Sequence, residues 1–494
     1  MEKLLSAATG FKRRLLLLAA KNGFYRRSLS SCNGRRRVVD MAMEDKELRL
    51  FVVAGEPSGD AIAARLISSL HRLSPSPLRL AGVGGPMMEN VGLNSLFRME
   101  DLAVMGLLEL LPHLRKIRMR LQQAIEAAIQ FQPHAVITVD AKGFSFRFLK
   151  LLRDKCSLEP CLSPIHIHYV APSFWAWKGG ESRLKALSGY VDHLLCILPF
   201  EVDVLRAHGL DATFVGHPIL EDALNFHPDN EADAQPIQVK VPGNGAYFRQ
   251  KHGISPGATI VTVIPGSREQ EVTRMLPIYM NTLELLKDSL PSLTVVIPVA
   301  SNQHVQGYLY KLAPSCTLPT ILIPGESVAE KYDAFHASSA ALCTSGTAVL
   351  ELQLARLPCI VAYRAHLLTE WIIRLKTKMH FISLPNILMD SQIIPEALFS
   401  SCNPMELSML LSQIIHDDVI RKQQIVSADK VLNLLCPSKE NPSYSNYKQF
   451  LSAGSDFCPS NIAASAVLCS ERRQRKGQRK TGERIHRRRR ALEK

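Results

Sequence analysis

Three short turns in this sequence combine small residues with groups that bind anions, and each follows an apolar run. In Val263-Ile-Pro-Gly-Ser-Arg-Glu269 the run stops at Pro265, Gly266 lets the backbone turn, Ser267 follows, and a helical pattern begins near Arg268. Free amides, the positive end of a helix dipole and the guanidinium fork of Arg268 suit a phosphate, although an ordinary capped helix start is spelled the same way. Cys343-Thr-Ser-Gly-Thr-Ala-Val-Leu-Glu351 repeats the arrangement, with Ser345, Gly346 and Thr347 offering amides and hydroxyls without bulk. Glu351 stands about one helical turn beyond Thr347 on the same face, where a carboxylate can accept from two ribose hydroxyls. Two such turns in one half of the chain point to a nucleoside diphosphate. The third turn, Val53-Ala-Gly-Glu-Pro-Ser-Gly-Asp60, offers Glu56, Ser58, Gly59 and Asp60 to an acceptor sugar or phosphate.

Other chemistries lack their signatures. G-x-x-x-x-G-K-[ST] is absent, and Gly82-Val-Gly-Gly85 is not G-x-G-x-x-G, which disfavours P-loop ATPases and dinucleotide enzymes. Gly253-Ile-Ser-Pro-Gly257 spells a nucleophile elbow but precedes an apolar run instead of following one, so it reads as a loop. His166 and His168 follow Cys156 and Cys161 without zinc-ligand spacing, and Ile165–Val170 reads as a buried strand. The eleven cysteines are scattered, which argues against a disulfide framework. With no Asp-x-Asp, a sugar transferase built on this chain needs no metal and no cofactor: protein cations and helix dipoles must neutralise the leaving group.

The elements that position these turns alternate. Apolar runs at Leu48–Ala54, Leu78–Val83, Ala135–Val139, Ile165–Val170, His193–Leu198 and Ala212–Val215 predict one set of strands. A second set is predicted at Thr259–Ile264, Leu293–Val299, Thr320–Ile323, Ala340–Thr344 and Cys359–Tyr363. Continuous Val/Ile/Leu runs separated by helical stretches imply parallel sheets covered on both faces. The expected class is α/β, with two Rossmann-like domains whose strand ends face a central cleft. The divisions expected are 45–224 for the acceptor domain, 225–257 for a linker with an insertion, 258–400 for the donor domain, and 401–470 for helices that pack back across the lobes.

At 494 residues, 46% of them apolar, the chain exceeds one ordinary core. Its +14 charge resides at the ends. Residues 1–39 hold ten Lys/Arg against one acid and residues 471–494 hold twelve against three, leaving −4 for 40–470. A basic groove for nucleic acid is therefore not supported. Residues 1–40, rich in Arg and Ser, read as a disordered transit peptide, mitochondrial with plastid as the alternative. The 471–494 tail reads as disordered and solvated. No apolar run is long enough to span a bilayer.

Together with Gly82-Val-Gly-Gly-Pro-Met87, Val139-Asp-Ala, Tyr169-Val-Ala-Pro-Ser-Phe-Trp-Ala-Trp-Lys178, Phe214-Val-Gly-His-Pro218 and Ser383-Leu-Pro-Asn386, the three turns occur in an order that resembles lipid-A-disaccharide synthases. The likeness covers about residues 48–400 and weakens towards 470. It implies a GT-B glycosyltransferase that moves 2,3-diacylglucosamine from UDP to the 6-hydroxyl of 2,3-diacylglucosamine 1-phosphate, with inversion, to form a β-1,6 disaccharide. Asp140 matches the family's catalytic position and would take the acceptor proton; the plainer alternative is a helix cap. Arg268 and Ser345–Thr347 would stabilise departing UDP, and Glu351 would hold its ribose. One departure is plain: the family has a second Asp before the Phe, where this chain reads Asp140-Ala-Lys142-Gly143-Phe144.

Lipid substrates imply a peripheral membrane contact, assigned to Val104, Met105, Leu107 and Leu108 beside Arg115, Lys116, Arg118 and Arg120; a core helix with a solvated end is the other reading. Trp175 and Trp177, near Lys178 and Arg183, line the acceptor side or belong to the core. The family also implies a homodimer exchanging C-terminal elements. Two other functions fit the letters less well: a UDP-sugar epimerase of the same fold, and a non-catalytic protein binding membrane or RNA through its basic ends.

Overall fold

The computed structural model describes residues 36–472, apart from 103–106, 157–162, 226–239, 291, 301, 314–315, 439–440, 448 and 452–456. Two six-stranded sheets, all parallel, organise it. The first has the order β2-β1-β3-β4-β5-β6, with β1 Leu48–Ala54, β2 Leu78–Val83, β3 Ala135–Val139, β4 Ile165–Tyr169, β5 His193–Cys196 and β6 Asp211–Phe214. The second runs β12-β11-β10-β7-β8-β9, with β7 Ile260–Ile264, β8 Thr294–Pro298, β9 Thr320–Ile323, β10 Ala340–Cys343, β11 Cys359–Tyr363 and β12 Glu396–Leu398. Eleven of these strands coincide with predicted runs; β12, only three residues long, carries too little pattern to register.

Both faces of each sheet are covered, which is why the strands read as unbroken apolar runs. In β1 the side chains alternate: Leu48, Leu50 and Val52 pack with Leu66 and Ile67 of the helix Pro57–Leu73, while Phe51 and Val53 join Phe148 and Leu149 of the helix Lys142–Cys156 on the other face. The second lobe repeats this, with Val261 and Val263 packing on Met275 and Tyr279.

The chain crosses between lobes twice, side by side: the His217 amide donates to the Leu435 carbonyl at 3.1 Å. After the helix Asp418–Leu435 it returns to the first lobe, where the last helix, Pro459–Cys469, lies on the Pro57 helix and buries Ile462, Val467 and Leu468 completely. Of the helices in 401–470, it is this last one that lies on the first lobe. Ile462→Ala should cost about 2–5 kcal/mol by leaving a cavity in that seam. Urea unfolding at constant m checks this; a shift below about 1 kcal/mol would mean that the helix contributes little to the first lobe.

Three divisions differ from the sequence reading. The helix Val38–Asp45 buries Val38, Val39 and Ala42 against the last helix, so the end of the segment read as a transit peptide is folded. Residues 240–257 belong to the second lobe and not to a linker: the helix Gly245–Lys251 sends Phe248 into a cluster with Ile260, Val296 and Ala334. The second lobe also extends past 400, through the helices Pro404–His416 and Asp418–Leu435. Residues 1–35 and 473–494 lie outside the described residues.

Candidate active site

In an open parallel sheet the crevice forms where strand order reverses, because neighbouring connections leave in opposite directions. In the first sheet this point lies between β1 and β3; in the second, between β7 and β10. The four loops leaving those strands are the ones that carry the chemical residues: Glu56 after β1, Asp140 after β3, Gly266–Arg268 after β7 and Ser345–Thr347 after β10. The β1 and β3 loops touch: a Cβ on Gly55 would stand 2.8 Å from that of Ala141, so only glycine permits the approach.

Asp140 and Ala141 both adopt left-handed backbone, φ 48° and 43°, a turn that halts β3 before the helix starts at Lys142. Main-chain bonds hold it: the Asp140 amide donates to the Tyr169 carbonyl at 3.0 Å and the Ser145 hydroxyl to the Asp140 carbonyl at 2.8 Å. Burial, then repulsion from the Asp140 carboxylate, pushes Glu56 upward, while Arg268 and Lys142 pull it back. Glu56 and Asp140 belong to one lobe and Arg268 to the other, so charges from both lobes act on the Glu56 carboxyl. Lys142 Nζ donates to the Ser173 hydroxyl at 3.2 Å.

The sequence reading missed Glu201. It is 2% exposed and accepts from Trp175 Nε1 at 3.2 Å and the Leu198 amide at 3.3 Å. Burial pushes its carboxyl up to about 7. Unfolded, it ionises near 4.5, so the fold holds an extra proton between those values. That stabilisation is complete below the lower value and is lost as pH rises through the higher one. Glu201→Gln keeps an acceptor for Trp175 and should gain about 2–3 kcal/mol at pH 8 with little change at pH 4.5. Denaturant melts at the two pH values decide it; equal effects at both would sink the assignment.

Asp60 has another task. Only 3% exposed, its carboxylate accepts from the amides of Gly85 at 2.9 Å, Met87 at 3.0 Å and Met88 at 3.1 Å, capping the helix Pro86–Asn90. This corrects its assignment to the acceptor: its oxygens are spent on the fold. Gly59 is buried where the Pro57 helix approaches β3, with its Cβ position 3.2 Å from the Val139 carbonyl, while Ser58 is exposed. Trp175 packs edge-on against Phe200, ring centroids 4.8 Å apart, in the apolar cluster that also takes in Ile264, Ile382 and Leu384 of the other lobe. Trp177 pairs with Thr377, flanked by the Lys178 amide donating to the Lys376 carbonyl at 2.8 Å and the Lys378 amide to the Ala176 carbonyl at 2.9 Å. Both tryptophans therefore stand at the lobe junction.

In the second lobe the β7 and β10 loops lie side by side, joined by the Thr344 amide donating to the Ile264 carbonyl at 3.0 Å. Gly266, φ 126°, occupies a conformation that an L residue rarely adopts. Glu271, another residue missed, accepts from the Ser267 amide at 3.3 Å and pairs with Arg268 at 3.2 Å. The signal was present: a Glu at the third helical position, which often reaches back to the amides ahead of it. The Ser345 hydroxyl donates to the Ile382 carbonyl at 2.9 Å, and Gly346 and Thr347 are exposed. Glu351 pairs with Lys331 at 2.9 Å. Glu396 of β12 braces the Ser383–Asn386 turn, accepting from the Ser383 hydroxyl at 2.6 Å and the Asn386 amide group at 2.8 Å.

His166 and His168 are buried in β4; the latter meets the Thr138 hydroxyl at 2.8 Å, and burial pushes its imidazole down to about 3. Val104 and Met105 lie outside the described residues, and Leu107 and Leu108 open the helix Leu107–Phe131, of whose first turns only the backbone is described.

Residues 50–450 match a family model described as lipid-A-disaccharide synthetase. The chain is 53% identical over 447 residues to the probable mitochondrial lipid-A-disaccharide synthase of Arabidopsis thaliana, spanning 90% of this chain and 95% of that one. It is 41% identical over 398 residues to the lipid-A-disaccharide synthase of Rhodospirillum centenum, 81% and 92% of the two chains. Among solved structures it resembles the S. aureus MnaA-UDP co-structure, TM-score 0.51 at 12% identity over 78% of this chain and 92% of that one. A putative UDP-N-acetylglucosamine 2-epimerase from Listeria monocytogenes gives TM-score 0.50 at 12% identity over 78% and 95%. At that identity the likeness shows a shared fold of two Rossmann-like lobes and nothing more.

Proposed function

The chain belongs to the lipid-A-disaccharide synthase family, and we propose on that footing how its cleft performs the transfer. The enzyme is a GT-B glycosyltransferase of lipid A biosynthesis, with a UDP-sugar donor and a lipid acceptor. Asp140 takes the proton from the 6-hydroxyl of diacylglucosamine 1-phosphate as that oxygen attacks C1 of UDP-diacylglucosamine. The bond from C1 to the diphosphate oxygen breaks, and UDP departs with the electron pair from the opposite face, so the product is the β anomer. Arg268 and the amides of Ser345–Thr347 receive the charge that develops on UDP. Glu351 turns from Lys331 towards the ribose hydroxyls.

One observation carries this reading: strand order reverses between β1 and β3 in one lobe and between β7 and β10 in the other, so Asp140 and Arg268 each stand in the loop at the crevice of their own lobe. The epimerase alternative is not favoured, since the relatives at 53% and 41% identity carry the synthase name. Incubating the full chain with both substrates should give disaccharide and UDP in equal amounts; UDP release without disaccharide, or epimerised donor, would refute the proposal. The name of the Arabidopsis relative supports a mitochondrial address, with the basic N-terminal segment as its import signal. Peripheral membrane contact through the 104–108 segment and a homodimer belong to the same proposal and rest on the lipid character of the substrates and on family likeness.

A further inference from the structure

Lys142 stands two residues beyond Asp140, fixed there by the left-handed turn at Asp140 and Ala141. It is half-buried, and among the described residues it enters no salt bridge; its hydrogen bond goes to the neutral hydroxyl of Ser173. Its charge is felt by Glu56, in the loop after β1, and by the buried Glu201 and His168. The neighbouring ground is open: a Cβ on Gly143 would meet nothing within 4 Å. With no carboxylate at contact distance among the described residues, the ammonium keeps donors to spare beside the Ser173 hydroxyl. It suits an incoming dianion.

The acceptor presents two features to this wall of the cleft, a 6-hydroxyl that needs a base and a phosphate monoester on C1 of the same sugar, and they flank one ring. Arg268 is engaged with Glu271 on the donor side. We propose that Lys142, with the Ser173 hydroxyl as second donor, binds the 1-phosphate of the acceptor and so sets the register in which the 6-hydroxyl meets Asp140. This assignment rests on the reaction proposed above. In this chain the string that lacks the second Asp thus carries a cation one residue before Gly143.

The test compares the full chain with Lys142→Met and Lys142→Arg, using diacylglucosamine 1-phosphate and the same lipid without its phosphate. Lys142→Met should raise KM for the phosphorylated acceptor by about 10–100-fold, the worth of one charge-assisted contact, with donor KM and UDP affinity unchanged. Wild type and Lys142→Met should use the unphosphorylated lipid equally poorly, and Lys142→Arg should restore most of the discrimination. Equal losses with both acceptors, or a raised donor KM, would overturn the proposal. Titration calorimetry of the monophosphate against the donor-free protein repeats the comparison without turnover: binding lost in Lys142→Met supports the phosphate site, and undiminished binding refutes it. If the wild type makes no disaccharide, the reaction assignment fails on its own account, and calorimetry still decides the site.

Discussion

Asp140→Asn is expected to reduce disaccharide formation by about 10²–10⁴-fold, the range that removal of a positioned general base produces. Asn is the informative substitution because the residue sits at φ 48°. Among non-glycine residues Asn tolerates that region best, whereas Ala there adds backbone strain of about 1 kcal/mol and would confuse catalysis with folding. The carboxylate makes no hydrogen bond to the described residues, whereas the main-chain bonds to Tyr169 and Ser145 do not depend on the side chain. Steady-state turnover together with calorimetric UDP binding checks the point. Turnover lost with UDP affinity kept within about twofold fits a base acting only in the transition state. Full activity in Asp140→Asn would remove Asp140 from the mechanism.

Arg268→Ala carries the second large effect, a loss of about 10²–10³-fold in kcat, as expected when one donor to a developing anion is withdrawn. Arg268 is exposed and its pair with Glu271 is a surface contact, so folding stability should move by less than about 1 kcal/mol. Arg268→Lys should recover only part of the rate, because a single ammonium cannot reproduce the bidentate fork on a diphosphate. Kinetics with saturating acceptor, alongside thermal melts, separate the two effects; a kcat within about threefold of wild type in Arg268→Ala would mean that the backbone amides carry the leaving group alone.

Lys142 separates motif from role. The departure from the family string is visible in the sequence, yet letters alone suggest only a lost carboxylate. The structure puts the ammonium beside Ser173, where its charge acts on Glu56 and Glu201, and leaves the space at Gly143 open. Asp60 makes the opposite point. In the sequence it is one more acid in a glycine turn, and only the path of the next loop brings the amides of Gly85, Met87 and Met88 onto it. Glu201 was invisible for a related reason: a carboxylate next to Phe200 at a helix start reads as solvated, whereas in the fold it is buried and bonded to the Trp175 indole and the Leu198 amide.

The sequence by itself determined the sheets and the turns. Unbroken apolar runs mark strands buried on both faces, and a glycine after such a run marks the strand end, because these are local consequences of burial and backbone sterics. Charge segregation was equally legible: +14 in total, with −4 left for residues 40–470. Strand order, by contrast, has no local signature. Which strands lie beside β1 and β7 decides where the connections part, and so which four of the many loops form a cleft. The same holds for partners distant in sequence, such as Lys331 with Glu351 or Glu396 with Ser383 and Asn386. Such pairs exist only when the closed chain brings them within a few ångströms, and burial then decides whether a charge is spent on the fold or left for substrate.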